Sequence, residues 1–245
     1  MKKGHGGTGA QGRSLLPHFP EQKLRPAGGG SDFTPFLHHL GVPVLTANSE
    51  GPHGVAHSRY DTYGWMKKYG DPDHRHHERL TRIVANLAWR CATASMVPFD
   101  FAALGTWARN TLHRLDSLPV DEDSEALGAA LDAFDQAATD FAGARRDLLD
   151  RDPDPSAVNR LDLGARRVFR RFLRNAETAG EGFFKNMLLA PDAQTSTDVM
   201  PLPFLTTALE TADAEATSQA LKELTIAFKE SADLLSYVTT RLRRE

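Results

Sequence analysis

The chain has 245 residues, a formal net charge of −3 at pH 7 and a single cysteine. The near-neutral charge argues against a general nucleic-acid-binding protein, and one cysteine excludes a disulfide framework. No apolar stretch of about 18 residues is present that would predict a membrane span.

The first seventy residues are rich in Gly, Pro and His, and residues 1–24 have the composition of a flexible lead-in. Residues 31–41 predict a short helix, capped by Ser31 or Asp32 and ended by Gly41. Its expected apolar face consists of Phe33, Phe36, Leu37 and Leu40. The apolar run "GVPVLTA" (41–47) predicts a buried strand. Because one strand cannot form a sheet, this region requires other strands.

From Asp71 onward the chain is rich in Ala, Leu, Arg and Asp and has helical periodicity. The pair Asp71-Pro72 predicts a helix start. The apolar stripe of that first helix consists of Leu80, Ile83, Val84, Leu87 and Cys91. The position of Cys91 on this stripe predicts that its thiol is packed in the core and inert. Further helices are predicted from about residue 100, over about 124–150, over about 156–175 and from about 213 to the C-terminus. A proline-rich loop is predicted over 190–204.

Several histidines raise the possibility of a metal site. His57, in "VAHSRYDTYGWMKKYGDP" (55–72), is either an ordinary loop or core histidine or a metal ligand, and it lacks an HxH or HExxH companion. In "DHRHHER" (73–79), His74 and His77 share one helix face. The pattern favours a solvated first helical turn over a metal site. His38 and His39 are adjacent and point in different directions, which makes them poor joint ligands.

Two other patterns concern anions. The turn "GGGSDF" (28–33) leads into a helix whose N–H groups attract anions, but it lacks the spacing of a phosphate-binding motif, which favours a tight turn. A basic run occupies the helix predicted over 156–175. It favours a solvated, ion-paired face, with acidic residues of the preceding helix (Asp132, Asp135, Asp140) as possible partners, over a phosphate-binding stripe. The run consists of Arg166, Arg167, Arg170, Arg171 and Arg174.

Five segments occur in the order of the C-terminal half of the glutamate carboxypeptidase II and transferrin receptor family, which the chain resembles from about Arg25 onward. They are "GGGSDFTPFLHHLGVPVL" (28–45), "AHSRYDTYGWMKKYGDPDHRHHERL" (56–80), "VPFDF" (97–101), "FFKNMLLAPD" (183–192) and "LPFLTTALE" (202–210). The resemblance implies a mainly α chain. A truncated α/β fragment of a zinc-peptidase domain (residues 25–94) would precede a helical dimerisation domain (residues 95–245).

The resemblance also implies roles for individual residues. His57 matches the last zinc ligand of the family's "YHSxYDTY"-like motif, although Ala56 replaces the usual tyrosine. The family's substrate-cleft loop corresponds to Gly28, Gly29, Gly30, Ser31 and Asp32. The family binds two zinc ions and uses a glutamate base, but the other ligands and that base lie upstream of the matching segments. The range 190–204 has neither the lysine nor the tyrosine that recognises an acidic C-terminal residue in the family.

Three hypotheses follow from this comparison. The favoured one is the C-terminal part of a co-catalytic zinc metallopeptidase. It would be catalytically incomplete alone, unable to bind zinc stably without a companion N-terminal peptidase segment, and homodimeric through its C-terminal helices. A peptide would be its substrate once completed. The alternative is a non-enzymatic dimerisation or scaffold module. A third hypothesis, a complete peptidase with an unusual site built from histidines, is the least favoured.

Overall fold

The computed structural model describes residues 27, 29–47, 54–115, 118–151, 153–174, 184–192 and 198–245. In chain order its helices are α1 (Thr34–Leu40), α2 (Tyr63–Trp65) continuing into a π-helical turn (Met66–Gly70), α3 (Arg75–Thr93), α4 (Phe101–Leu112), α5 (Glu122–Leu149), α6 (Pro155–Arg166) continuing into a 3₁₀ segment (Arg167–Phe172), α7 (Pro203–Glu210) and α8 (Ala214–Leu242). Two short antiparallel strands, β1 (Leu189–Pro191) and β2 (Val199–Pro201), pair with Ala190 opposite Met200. The predicted mainly α architecture is confirmed.

The long helices begin at aspartate caps. Asp100, Asp121, Asp154 and Asp213 each accept a hydrogen bond from the backbone N–H three residues further on, at 2.9–3.0 Å. Such a cap satisfies one of the N–H groups that lack a partner inside the helix. The predicted starts of α4, α5, α6 and α8 are therefore correct to within two residues.

The core lies between α5 and α8, which pack along their length. Phe228 of α8 is fully enclosed, with its ring centroid 5.3 Å from that of Phe134 on α5 and 4.9 Å from that of Phe172 in the 3₁₀ segment. Both contacts are edge-to-face, the arrangement that aromatic rings prefer. The two long helices therefore bury aromatic side chains against each other and against the 3₁₀ segment.

The predicted apolar face of α1 is wrong. Phe36 and Leu40 are 51% and 53% exposed, whereas His38 is fully buried against the ring of Phe184. The amide of Asn186 donates to the backbone carbonyl of Leu37, at 3.1 Å. Contacts with a distant part of the chain therefore decide which face of this short helix is covered.

Gly41 ends α1 as predicted, with a left-handed φ of 60°. Its α-carbon lies against the 3₁₀ segment, since a β-carbon at this position would come within 3.1 Å of the backbone of Phe169 and Arg170. Glycine is required here both by the backbone angle and by the close approach. The end of α1 is thus held against the helical bundle.

The strand predicted over residues 41–47 is wrong. This stretch has no regular secondary structure, and Val42 and Leu45 are exposed. An isolated strand has no neighbour to satisfy its backbone hydrogen-bonding groups, and the two strands in the described part of the chain lie elsewhere, at 189–201.

The helix predicted after Asp71 forms as α3, but it starts at Arg75 and its apolar stripe is not buried. No residue of α3 is buried, and Val84, Leu87 and Cys91 are exposed. The interpretation of Cys91 as a packed core residue is therefore wrong. The amphipathic pattern formed the helix, although no element in the described ranges buries its apolar face.

Two predicted boundaries near the end of the chain also differ. The helix predicted over 156–175 changes to a 3₁₀ segment at Arg167, and the loop predicted over 190–204 contains the β1–β2 pair and the start of α7. No helix in the described ranges is both long enough and apolar enough to cross a membrane.

Candidate functional site

His57 lies in the exposed turn that precedes α2. Its backbone is left-handed, with φ of 61°, and its N–H donates to the Asp61 carboxylate at 3.2 Å. Ser58 donates its hydroxyl to the carbonyl of Val55 at 2.6 Å, which closes the turn. The side chain of His57 is exposed, so the turn presents the imidazole at the protein surface.

The residues matched to the family's substrate-cleft loop form a bend before α1. Gly30 has φ of 75°, and the carbonyl of Ser31 accepts hydrogen bonds from the N–H and the hydroxyl of Thr34, at 3.0 and 2.7 Å. Gly30, Ser31 and Asp32 are exposed and Gly29 is half-buried. Gly28 lies outside the described residues. The tight turn predicted from the glycines is present, and no hydrogen bond joins it to His57 in the described ranges.

The residues present do not by themselves fit a two-zinc centre. Such a centre needs about three protein ligands for each catalytic metal ion. Among the described residues, no group of three or more His, Cys, Asp or Glu side chains is close enough to hold a metal ion. His57 therefore supplies one ligand position at most.

The structure places a carboxylate–imidazole pair at the start of α3. Asp71 is buried, and its Oδ2 accepts hydrogen bonds from the N–H groups of His76 and His77, both at 3.0 Å. The same oxygen lies 2.7 Å from Nδ1 of His77. Sequence reasoning identified Asp71 as a helix cap but missed its pairing with His77. The pairing depends on a turn that folds the aspartate back over the helix start.

The pKa of Asp71 is well below its usual value. Burial alone raises the pKa, but the hydrogen bonds from the backbone and ring of His77 and from the backbone of His76 outweigh it. The carboxylate therefore stabilises the folded helix start whenever the pH is above the pKa of the unfolded chain, about 3.9.

We expect the first turn of α3 to lose local stability as the pH falls below about 4, because the unfolded aspartate then takes up a proton more readily than the folded one. Amide-exchange protection factors of His76 and His77, followed from about pH 6 to pH 3, measure this opening. Asp71→Asn should lower protection about fivefold near pH 6, equivalent to about 1 kcal/mol, and remove most of the acid dependence. Asp73→Asn, at an exposed position, is the matched control. Equal protection in the two variants would contradict the assignment.

The basic run that begins at Arg166, the last residue of α6, is largely ion-paired, as predicted, but its partners differ from those suggested. Arg166 pairs with Asp162 of α6, and the pairs that reach α8 are Arg171–Glu230 at 3.1 Å and Arg174–Glu223 at 2.6 Å. The suggested partners Asp132 and Asp135 of α5 instead bind Arg109 of α4, at 2.7 and 2.8 Å. The run thus connects α6, the 3₁₀ segment and α8.

A comparison with protein families matches residues 122–236 to the transferrin receptor-like dimerisation domain. The match runs from the first turn of α5 almost to the end of α8, and it lies within the range 95–245 expected for that domain.

Curated relatives extend the similarity toward the N-terminus. A Zea mays protein named "Probable glutamate carboxypeptidase VP8" is 30% identical over 172 residues, which is 66% of this chain and 23% of the relative. A "Probable glutamate carboxypeptidase" of Arthroderma benhamiae is 26% identical over 85% of this chain and 30% of the relative. "Aminopeptidase NAALADL1" of Rattus norvegicus is 22% identical over 82% of this chain and 29% of the relative.

The chain thus spans less than a third of the length of these relatives. The similarity covers both the segment with His57 and the helical bundle, and the bundle carries the match to the dimerisation domain. Residues 122–236 thus match the transferrin receptor-like dimerisation domain, and the chain as a whole is similar to the C-terminal region of the glutamate carboxypeptidase II and transferrin receptor family.

Proposed function

We propose that this chain is the C-terminal part of a co-catalytic zinc metallopeptidase of the glutamate carboxypeptidase type. In this proposal it supplies the dimerisation bundle, the ligand His57 and a cleft loop formed by Gly29, Gly30, Ser31 and Asp32. A companion N-terminal peptidase segment supplies the other zinc ligands and the general base. Alone, the chain dimerises but does not hydrolyse peptides.

The observation that most supports a companion segment is the exposed apolar face of α3. The helix has 19 residues, none of them buried, although its apolar stripe repeats as regularly as that of the core helix α5. An amphipathic helix in water gains most of its stability from packing that apolar face against another element. This chain spans less than a third of the length of the relatives, and in our proposal the companion segment supplies the element that covers α3.

Exposed apolar side chains on the bundle support dimerisation. Ile226 and Tyr237 of α8 are 56% and 59% exposed. They are three turns apart and therefore lie on one face of the helix. Leu163 of α6 is 49% exposed, and α6 packs on α8 at the contact of Gly164 with Val238. Burying these side chains against a second copy removes apolar surface from water in each protomer.

Sedimentation of the purified chain tests the dimerisation part of the proposal. We expect a dimer for the unmodified chain. Ile226→Asp should shift it to a monomer by at least tenfold in the dissociation constant, since a charge at the centre of an apolar contact is costly to desolvate. Val120→Asp, at a position that is 98% exposed, is the matched control and should remain dimeric. A monomeric unmodified chain would overturn this part.

Peptidase assays with added zinc test whether the chain is catalytically incomplete on its own. We expect no hydrolysis of a peptide ending in glutamate by the chain alone. Zinc-dependent hydrolysis that His57→Ala abolishes, in protein free of any companion chain, would show a complete site and refute the proposal.

A further inference from the structure

The imidazole of His77 is fixed so that only one of its nitrogens faces solvent. Nδ1 lies 2.7 Å from the Asp71 carboxylate. Since an ionised carboxylate only accepts hydrogen bonds, Nδ1 carries the hydrogen and the neutral ring keeps its lone pair on Nε2. The His77 side chain is 56% exposed, and in the described ranges no hydrogen bond occupies Nε2.

The ring of His74 is held beside it. His74 adopts a left-handed backbone, with φ of 55°, immediately before the first residue of α3. Its ring stacks on Tyr63 at a centroid distance of 6.3 Å and an interplanar angle of 9°. The ring also meets the ring of His77 edge-on, with the centroids 6.1 Å apart. Two separate contacts therefore place the two imidazoles next to each other at the protein surface.

We propose that His74 and His77 bind a divalent transition-metal ion, with Nε2 of His77 and one ring nitrogen of His74 as ligands and Asp71 as the group that orients His77. Imidazole is a ligand preferred by zinc and nickel. Metal-binding histidines almost always donate their other ring N–H to a carboxylate, a carbonyl or water, as His77 does here.

The geometry suits an ion held by two protein ligands and water. Metal–nitrogen bonds of about 2.0–2.1 Å can be made by rings whose centroids are 6.1 Å apart if the exposed His74 ring rotates toward Nε2 of His77, while His77 stays bonded to Asp71. No third protein ligand lies within reach in the described part of the chain, so water completes the coordination. The site uses residues of this chain alone and does not depend on the proposed peptidase function.

His76 provides a matched control within the same turn. Its backbone N–H also donates to Asp71, but its side chain makes none of the ring contacts or carboxylate bonds that fix His74 and His77. Each of the substitutions at positions 74, 76 and 77 removes one histidine. Comparing them therefore separates metal binding by the His74–His77 pair from a general effect of the number of histidines.

Calorimetric titration with zinc chloride, and separately with nickel chloride, tests the site on the full chain at neutral pH. His77→Gln and His74→Gln should each weaken one binding event at least tenfold, and Asp71→Asn about tenfold. His76→Gln and His57→Gln should leave that event unchanged. Helicity measured by circular dichroism identifies any variant that fails to fold. His74→Gln is the decisive variant because the His74 ring makes only stacking contacts in the described structure.

Nitrogen chemical shifts of the histidine rings give an independent readout. On adding zinc, Nε2 of His77 should shift as a coordinated nitrogen while Nδ1 remains protonated. The proposal is overturned if His76→Gln weakens metal binding as much as His74→Gln does, or if the shifts of the His77 ring nitrogens do not change when zinc is added. It is also overturned if neither His74→Gln nor His77→Gln loses a saturable binding event.

Discussion

Replacing Phe228 with alanine is expected to lower the free energy of unfolding by about 3–5 kcal/mol. Phe228 lies at the centre of the α5–α8 core and contacts the rings of both Phe134 and Phe172. The substitution removes the transfer free energy of the ring, leaves a cavity that rigid helices cannot close, and ends two edge-to-face contacts. Urea denaturation followed by circular dichroism measures the loss.

Phe36→Ala is the matched control for this experiment. It removes the same side chain from a position that is 51% exposed. We therefore expect it to change the free energy of unfolding by less than about 1 kcal/mol. Similar losses in the two variants would show that the α5–α8 core does not dominate the stability of the chain.

Glu223→Ala is expected to lower the free energy of unfolding by about 3 kcal/mol. Glu223 binds Arg174 at 2.6 Å, and the two side chains are only 12% and 14% exposed. The guanidinium of Arg174 also lies 3.5 Å from the centroid of the Phe204 ring. Removing the carboxylate leaves a positive charge that is mostly withdrawn from water, at a point where the 3₁₀ segment, α7 and α8 meet.

Glu230→Ala tests whether burial is the reason for that loss. Glu230 is on the same helix and binds Arg171 at 3.1 Å, but this pair is about half exposed, at 51% and 44%. Exposed pairs contribute about 0.2–1 kcal/mol because water screens them. We expect Glu230→Ala to fall in that range, and a loss as large as that of Glu223→Ala would refute the explanation from burial. Glu223→Gln, which keeps the side-chain volume, should retain most of the effect of Glu223→Ala.

The apolar surfaces of the chain differ in how completely the chain itself covers them. In the α5–α8 core, the buried apolar residues of both helices belong to one hydrophobic cluster. On α3, Val84 and Leu87 have the same spacing relative to each other as core residues but remain exposed. The two proposed partners, a companion peptidase segment for α3 and a second copy for α8, account for these two surfaces separately. The peptidase assay bears on the companion segment, and the sedimentation experiment bears on the second copy.

The long helices could be predicted from the amino-acid sequence because their signals are local. An aspartate cap fixes the start of a helix through a bond to a residue three positions away, as at Asp121 and Asp213. Apolar residues three and four apart define a face without reference to any other segment. The same local patterns predicted the ion-paired character of the arginine run. The segments that occur in the family's order along the chain, including the one with His57, indicated the family.

Which of the predicted faces are buried, and which side chains meet, depends on how the elements pack together. His38 rather than Phe36 is enclosed because Phe184 and Asn186 lie against α1. Residues 41–47 form no strand, since within the described part of the chain no neighbouring strand accompanies them. Asp71 meets the ring of His77 because a turn returns the chain to the helix start. Each of these outcomes depends on a partner whose position the local sequence does not encode, since contact energy is realised only when the chain brings both partners together.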